Sequence, residues 1–210
     1  MKRVAEMAKG RHLSAWKALV RSSRYLLILA CTAFAISLIL FEAYDAFAFQ
    51  PRQAEIAALL GNTPREEMNA APDLRRLLLV SLNGHTASVA ARQLLTDLPV
   101  PRVTRGMLGW HVTWALWTVL VALHMSESDQ LRIFISTANL GDGYRGFPAA
   151  SEAIFQRRLS KLSLPELATL VAMSHAPSLY STSPDRLAER RDWLLAKIAG
   201  STSQSAGPGR

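Results

Sequence analysis

The run YLLILACTAFAISLILF, residues 25–41, holds 17 residues and no charge. As a helix it is about 26 Å long, near the lower limit for crossing a bilayer's hydrocarbon core. Seven Lys or Arg precede it against the single acid Glu6, and Glu42 and Asp45 follow it. The positive-inside rule therefore predicts a cytoplasmic N-terminus with the bulk of the chain outside. A cleaved leader is the alternative, because Ala46-Phe47-Ala48 has the small-x-small pattern of a cleavage site. The long basic segment and long apolar core favour an anchor that stays attached. The one cysteine, Cys31, lies inside the run, so the chain has neither an intrachain disulfide nor a cysteine metal site.

Most of the formal charge of +8 belongs to that N-terminal tail. The remainder has no basic face interleaved with aromatic residues, which argues against nucleic acid as a partner. The chain divides into a basic cytoplasmic tail (1–24), the transmembrane anchor (25–41), a linker broken by Pro51, Pro64 and Pro72 (42–72), a helical domain (73–199) and a disordered tail rich in Ser and Gly (200–210).

Within the domain, DLRRLLLVSL (73–82) and VAARQLLTDL (89–98) read as helices separated by the turn NGHTAS. A second uncharged stretch, MLGWHVTWALWTVLVALHM (107–125), spaces Trp110, Trp114 and Trp117 along one helical face. Its Gly, His and Thr residues temper its apolarity, which favours a core or membrane-lying helix. Its length keeps a second span open as the alternative.

From Ser126 onward the chain is helical and well punctuated. Ser126 with Asp129 predicts an N-cap, and Ser163 with Glu166 has capping-box spacing. Pro148 and Pro184 each stand in the first turn of a helix, and Gly200 marks the expected end of the last one. Between two helices lies GDGYRGF, with Gly141, Gly143 and Gly146 within six residues. No stretch alternates at β period over a useful length, so the fold class is all-α.

The ordered pattern GDGYRGFPAASEAIFQRRLSKLSLPELATLVAMSHAPSLYSTSP followed by RRDWLL resembles family 51 glycosyltransferases. These are the peptidoglycan glycosyltransferase (transglycosylase) domains of class A penicillin-binding proteins and of monofunctional enzymes. Gly141, Gly143, Gly146, Ala149, Ala150, Glu166, Ala176, Pro177, Tyr180 and Arg190 fall in register with that family's motifs, over about 70 residues, a third of the chain. The resemblance implies a lysozyme-like helical domain, the C-terminal part of the family fold, on an N-terminal transmembrane helix. It implies a bacterial cytoplasmic-membrane protein, single-pass, with its domain on the outer face. It also implies a role in polymerising lipid II, no cofactor and no metal. The implied partners are the bilayer, lipid II or glycan strands, and another cell-wall synthesis protein. Gly141, Gly143, Gly146 and Arg190 are the implied substrate-binding residues.

Upstream, the chain departs from the family. The family's E-D-x-x-F-x-x-H-x-G motif, whose Glu serves as general base, has no counterpart. Glu66 and Glu67 lack the aromatic and His-x-Gly that should follow, and they read as surface acids. Near Gly84 and Thr86 the family's G-x-S-T-I-x-Q-Q survives as a shadow, with Arg92 or Gln93 in the glutamine positions. His85 beside them reads as an ordinary exposed histidine. Counting back from the glycine loop, Trp110 and His111 replace the basic pair of R-K-x-x-E and Trp114 replaces its glutamate. An indole only donates, so it cannot accept a proton. Further on, Glu127 stands for a lysine, Phe134 for a tyrosine and Ser136 for an asparagine.

The reading is a catalytically degenerate transglycosylase domain that binds or scaffolds. One alternative is an active transferase or lysozyme-like hydrolase with a shifted acid, for which Glu152 and Glu127 are the candidate catalytic residues. The other is a two-span membrane protein of unrelated role.

Overall fold

A computed structural model describes residues 24–61 and 72–205, with side chains to residue 200. The basic tail before Arg24, the Glu66-Glu67 pair and the last five residues lie outside the described residues. The chain forms two compact units, divided after Gln50.

The first unit contains helix α1, residues 24–44, which passes into a π-turn at Asp45–Phe49. Residues 24–40 are exposed on every side of the helix. Tyr25, Leu29 and Ile39 are each 67% exposed, an arrangement that water penalises and a bilayer accepts. By length and apolarity α1 is a candidate membrane span, as its sequence predicts.

The second unit begins at Pro51, so helix α2 (Gln53–Gly61) belongs to the helical body, within the stretch expected to be a linker. It continues with α3 (Pro72–Leu82), α4 (Thr86–Asp97), α5 (Gly106–His124) and α6 (Glu127–Thr137). A two-stranded ribbon follows, β1 (Asn139–Gly141) paired antiparallel with β2 (Tyr144–Arg145). The chain then forms α7 (Phe147–Phe155), a 3-10 turn at Leu159–Lys161, α8 (Leu164–His175), the short α9 (Pro177–Tyr180) and α10 (Pro184–Ser205). The fold is all-α, apart from this small ribbon.

The core forms around α6, whose Leu131, Phe134 and Ile135 are buried against apolar faces of α3, α7, α8 and α10. α3 contributes Leu74, Leu77 and Leu78, the i, i+3, i+4 stripe of an amphipathic helix. Each such side chain contributes about 1.5–3 kcal/mol on burial. Phe134 and Phe147 pack as a tilted pair with ring centroids 5.9 Å apart. Several polar groups inside this body are paired. The Thr86 hydroxyl donates to Gln130 Oε1 at 2.7 Å, and Gln130 Nε2 donates to the Met125 carbonyl at 2.9 Å. Arg132, almost fully buried, donates to Asp129 at 2.9 Å and to the Leu60 carbonyl at the end of α2 at 2.6 Å. A cation at a helix C-terminus is favourably placed against the helix dipole.

The caps read from the sequence are present. Ser126 Oγ accepts from the Asp129 amide at 3.1 Å, and Ser163 with Glu166 forms a full capping box. Hydrogen bonds from Ser163, its side chain first and its amide second, hold the Glu166 carboxyl below the usual carboxylate range. α10 differs from expectation by running five residues past Gly200. That glycine keeps a helical rather than left-handed backbone.

α5 is neither wholly buried nor wholly exposed. Gly109, Thr113, Trp117, Leu120 and Val121 face the body, chiefly against α4, while its opposite side is open. Gly109 is required here, since a Cβ would fall 1.9 Å from the Thr104 carbonyl oxygen.

Candidate functional site

The glycine-rich segment between α6 and α7 folds as a hairpin. Asp142 and Gly143 both take positive φ, at 51° and 81°, as a type I′ turn demands. Gly141 (φ 88°) brings the hairpin against α9, where an added Cβ would lie 3.1 Å from the Pro177 carbonyl. Gly146 (φ 81°) lies against the end of α6, where a Cβ would meet the Ser136 carbonyl at 2.6 Å. Its amide donates to the Ala138 carbonyl at 2.8 Å. All three glycines therefore serve backbone geometry, and Gly143 also lines one of the described cavities.

The hairpin forms one wall of a groove. α4 forms another, because its Ala90, Ala91 and Leu94 point into the core and leave Arg92, Gln93, Thr96 and Asp97 on the outer side. The C-terminal end of α8 closes the third side with Ser174 and His175. Three adjoining cavities of about 460, 400 and 310 Å³ all include Thr96. Gln93 and Asn139 are common to the first and third, Thr137 and Arg145 to the second and third. The result is a continuous polar groove of ligand-binding size.

Charge in the groove is sparse and specific. Arg145 on β2 donates to Asp97 at the end of α4. Asp97 is the one carboxylate among the described groove residues, and its side chain is 7% exposed. Its second oxygen is buried without a hydrogen-bond partner among the described residues. Arg92 stands exposed on the wall. Partial desolvation of the otherwise exposed His175, reinforced by the Arg190 charge, lowers its pKa below the ordinary 6.5. Hydroxyl, amide and guanidinium groups in this combination suit a polyhydroxylated, negatively charged ligand.

The residues singled out from the sequence are dispersed. Glu127, in the first turn of α6, is ion-paired with Arg75 of α3 and lies outside the groove. Glu152 is exposed on α7, also outside it. Arg190 stacks over Trp193 at 4.3 Å and borders a separate cavity of about 500 Å³ with Tyr180 and Glu189. His85 is exposed at the N-cap of α4 without a capping hydrogen bond from its side chain. Of the suggested glutamine counterparts, both Arg92 and Gln93 reach the groove. Sequence reasoning missed Thr96, Asp97, Asn139, Arg145 and His175. The polar face of α4 was the available signal for the first two. Among the described residues no three His, Cys, Asp or Glu side chains gather as metal ligands.

Trp114, standing where the resemblance calls for a glutamate, is half-buried between α5 and α4. Its indole donates to the Ser88 carbonyl at 2.9 Å.

Compared with known proteins, residues 89–199 match the transglycosylase family. The chain is similar to penicillin-binding protein 1A of Pseudomonas aeruginosa, at 29% identity over 86 residues. Penicillin-binding protein 1F of Bacillus subtilis is 34% identical over 86 residues, and penicillin-binding protein 1A of Aquifex aeolicus 28% over 86. These matches cover 38%, 38% and 40% of this chain, and 10%, 12% and 12% of the respective relatives. The chain thus matches only about a tenth of the length of each relative. The match begins in α4, after the segment in which the family's first glutamate motif would lie.

Proposed function

We propose that this chain, which belongs to the transglycosylase family, is a membrane-anchored peptidoglycan glycosyltransferase-like protein that binds a lipid-linked glycan precursor without polymerising it. The groove between α4 and the hairpin holds lipid II or a growing strand, and the bound protein serves another cell-wall synthesis enzyme as a scaffold. α1 anchors it in a bacterial cytoplasmic membrane, N-terminus inside and helical body outside. Its anchor-like composition and the basic residues before it support that orientation.

The observation that carries this reading is the state of the groove's acid. Glycosyl transfer by this family's route needs a carboxylate free to take a proton from the attacking hydroxyl, and such a base contributes about 10²–10⁴ in rate. Among the described groove residues the only carboxylate is that of Asp97, and Arg145 occupies it. Glu127 is paired elsewhere and Glu152 lies outside the groove. Arg92, Arg145, Gln93 and Asn139 remain as binding groups.

Incubating purified full-length protein with fluorescent lipid II tests turnover. Accumulation of glycan strands at a rate comparable to an active transglycosylase overturns the proposal, whereas recovery of unpolymerised lipid II supports it. A reporter fused to the C-terminus tests topology and should score outside the cell membrane.

A further inference from the structure

Along α10, Arg186, Arg190, Trp193 and Lys197 follow one another at spacings of four, three and four residues. That spacing sets them on one side of the helix, in a stripe about 17 Å long. Leu194 and Ile198 point elsewhere, into the core. Trp193 is 41% exposed, with the Arg190 guanidinium over its ring at 4.3 Å and the Lys197 ammonium at 5.7 Å. Among the described residues none of these three cations is paired with a carboxylate, whereas neighbouring Arg191 is paired with Asp192 at 2.8 Å. The stripe borders the cavity of about 500 Å³ in which Leu179 and Tyr180 of α9 face Arg186, Glu189 and Arg190.

Charge and shape together identify an occupant. Three aligned cations, with Glu189 the one acid among the described residues of the cavity wall, call for a negatively charged partner. Trp, Tyr and Arg are the side chains that carry most of the binding energy in protein interfaces, and all three types meet here around a recess. A sugar stacks on a bare aromatic face, whereas cations lie over the Trp193 ring. An anionic bilayer takes up protruding apolar groups, whereas this face is a recess with an acid in its wall. We infer that the outer face of α10, with the adjoining wall of α9, is the docking surface for a partner protein that presents an acidic segment and an apolar side chain to enter the recess. Arg190 thus binds protein rather than the ligand of the groove. α9 joins the two places: its Pro177 and Ser178 line the groove, and its Leu179 and Tyr180 line the recess. The Arg190 charge also reaches His175 on the groove wall. A partner docked on α10 therefore sits one short helix away from a ligand held in the groove. The inference deepens the scaffold reading and rests on it for the partner's role in cell-wall synthesis.

The test uses the full-length chain in its native cells, with photoreactive benzoylphenylalanine in place of Ala196, exposed beside the stripe, or of Lys161, an exposed control on the 3-10 turn. Irradiation should join position 196 to another protein several-fold more than position 161. The joined peptide, read by mass spectrometry, should carry a net negative charge. Arg186→Glu combined with Lys197→Glu should cut the yield about tenfold or more, and replacing the acids of the joined peptide with lysine should restore it. That restoration requires a folded variant, so it separates lost docking from lost structure. Trp193→Ala should also cut the yield about tenfold, with helical circular dichroism retained. No protein joined at 196, a neutral or basic joined peptide, a second copy of this chain, or lipid alone overturns the docking surface. So does a yield indifferent to either set of changes. Fluorescent lipid II is titrated separately into the unmodified protein. Failure to bind it contradicts the groove reading and leaves the docking surface standing, while binding without an acidic adduct contradicts the docking alone.

Discussion

The indole Nε1 of Trp114 donates a 2.9 Å hydrogen bond to the backbone carbonyl of Ser88, joining α5 to α4. At the position where the family resemblance calls for a glutamate, this chain thus holds a brace between two helices. The Ser88 carbonyl also lies within the hydrogen-bonded body of α4, so the brace adds a bond rather than filling a vacancy. Trp114→Phe keeps an aromatic ring but removes the donor together with part of the half-buried indole. It should cost about 1 kcal/mol in chemical denaturation, the net worth of one hydrogen bond. An unchanged midpoint would deny the brace any structural weight.

Gly146 and Gly143 share a φ of 81° but differ in surroundings. Gly143→Ala meets open space and should cost about 1 kcal/mol of backbone strain. Gly146→Ala adds an overlap with the Ser136 carbonyl and should cost about 3 kcal/mol or more. Equal losses in thermal or urea unfolding would mean that the hairpin does not approach α6 as described.

Arg145→Ala leaves the nearly buried Asp97 carboxylate without its cation. The expected loss is about 1–3 kcal/mol, below the range for a fully buried pair because Arg145 itself remains half in water. The double variant Arg145→Ala with Asp97→Asn should recover part of that loss, and strict additivity of the two single changes would argue against the pairing.

His175 gives the stability a pH dependence of known sign. Its folded pKa is lowered, first by burial and then by the Arg190 charge. The unfolded chain therefore binds its proton more readily than the native one. The His175 contribution is complete above about pH 6.5 and declines as pH falls toward the lower folded value. The difference in unfolding free energy between the native protein and His175→Gln, measured from pH 7.5 to 5, should shrink on acidification. A difference that grows on acidification would reverse the assigned shift.

The parts of this fold that were legible in the sequence are those decided locally. Ser126 and Ser163 cap helices because a hydroxyl three residues from a free amide satisfies it whatever the tertiary context. The ribbon escaped notice because strands of three and two residues are too short to show a period of two. Only the Asp142-Gly143 pair announced the turn. The groove was harder to foresee. Asp97 and Arg145 are 48 residues apart, and His175 comes from a third segment, so their meeting depends on how the helices pack. Glu152 and Glu127 attracted attention as acids near recognisable motifs, yet exposure of one and the Arg75 pairing of the other keep both out of the groove. For α5, composition set the apolarity, but only packing against α4 decided which side stays exposed.

The central claim is a groove that binds the lipid-linked precursor without turning it over. The most direct measurement follows both quantities on one sample: the full-length protein in detergent or nanodiscs, titrated with fluorescent lipid II, then assayed for glycan strands after prolonged incubation. Saturable binding, weakened about tenfold or more by Arg92→Ala through loss of a charged hydrogen bond, with lipid II recovered intact, is the predicted result. Strand synthesis by the unmodified protein, or binding indifferent to Arg92, would contradict it.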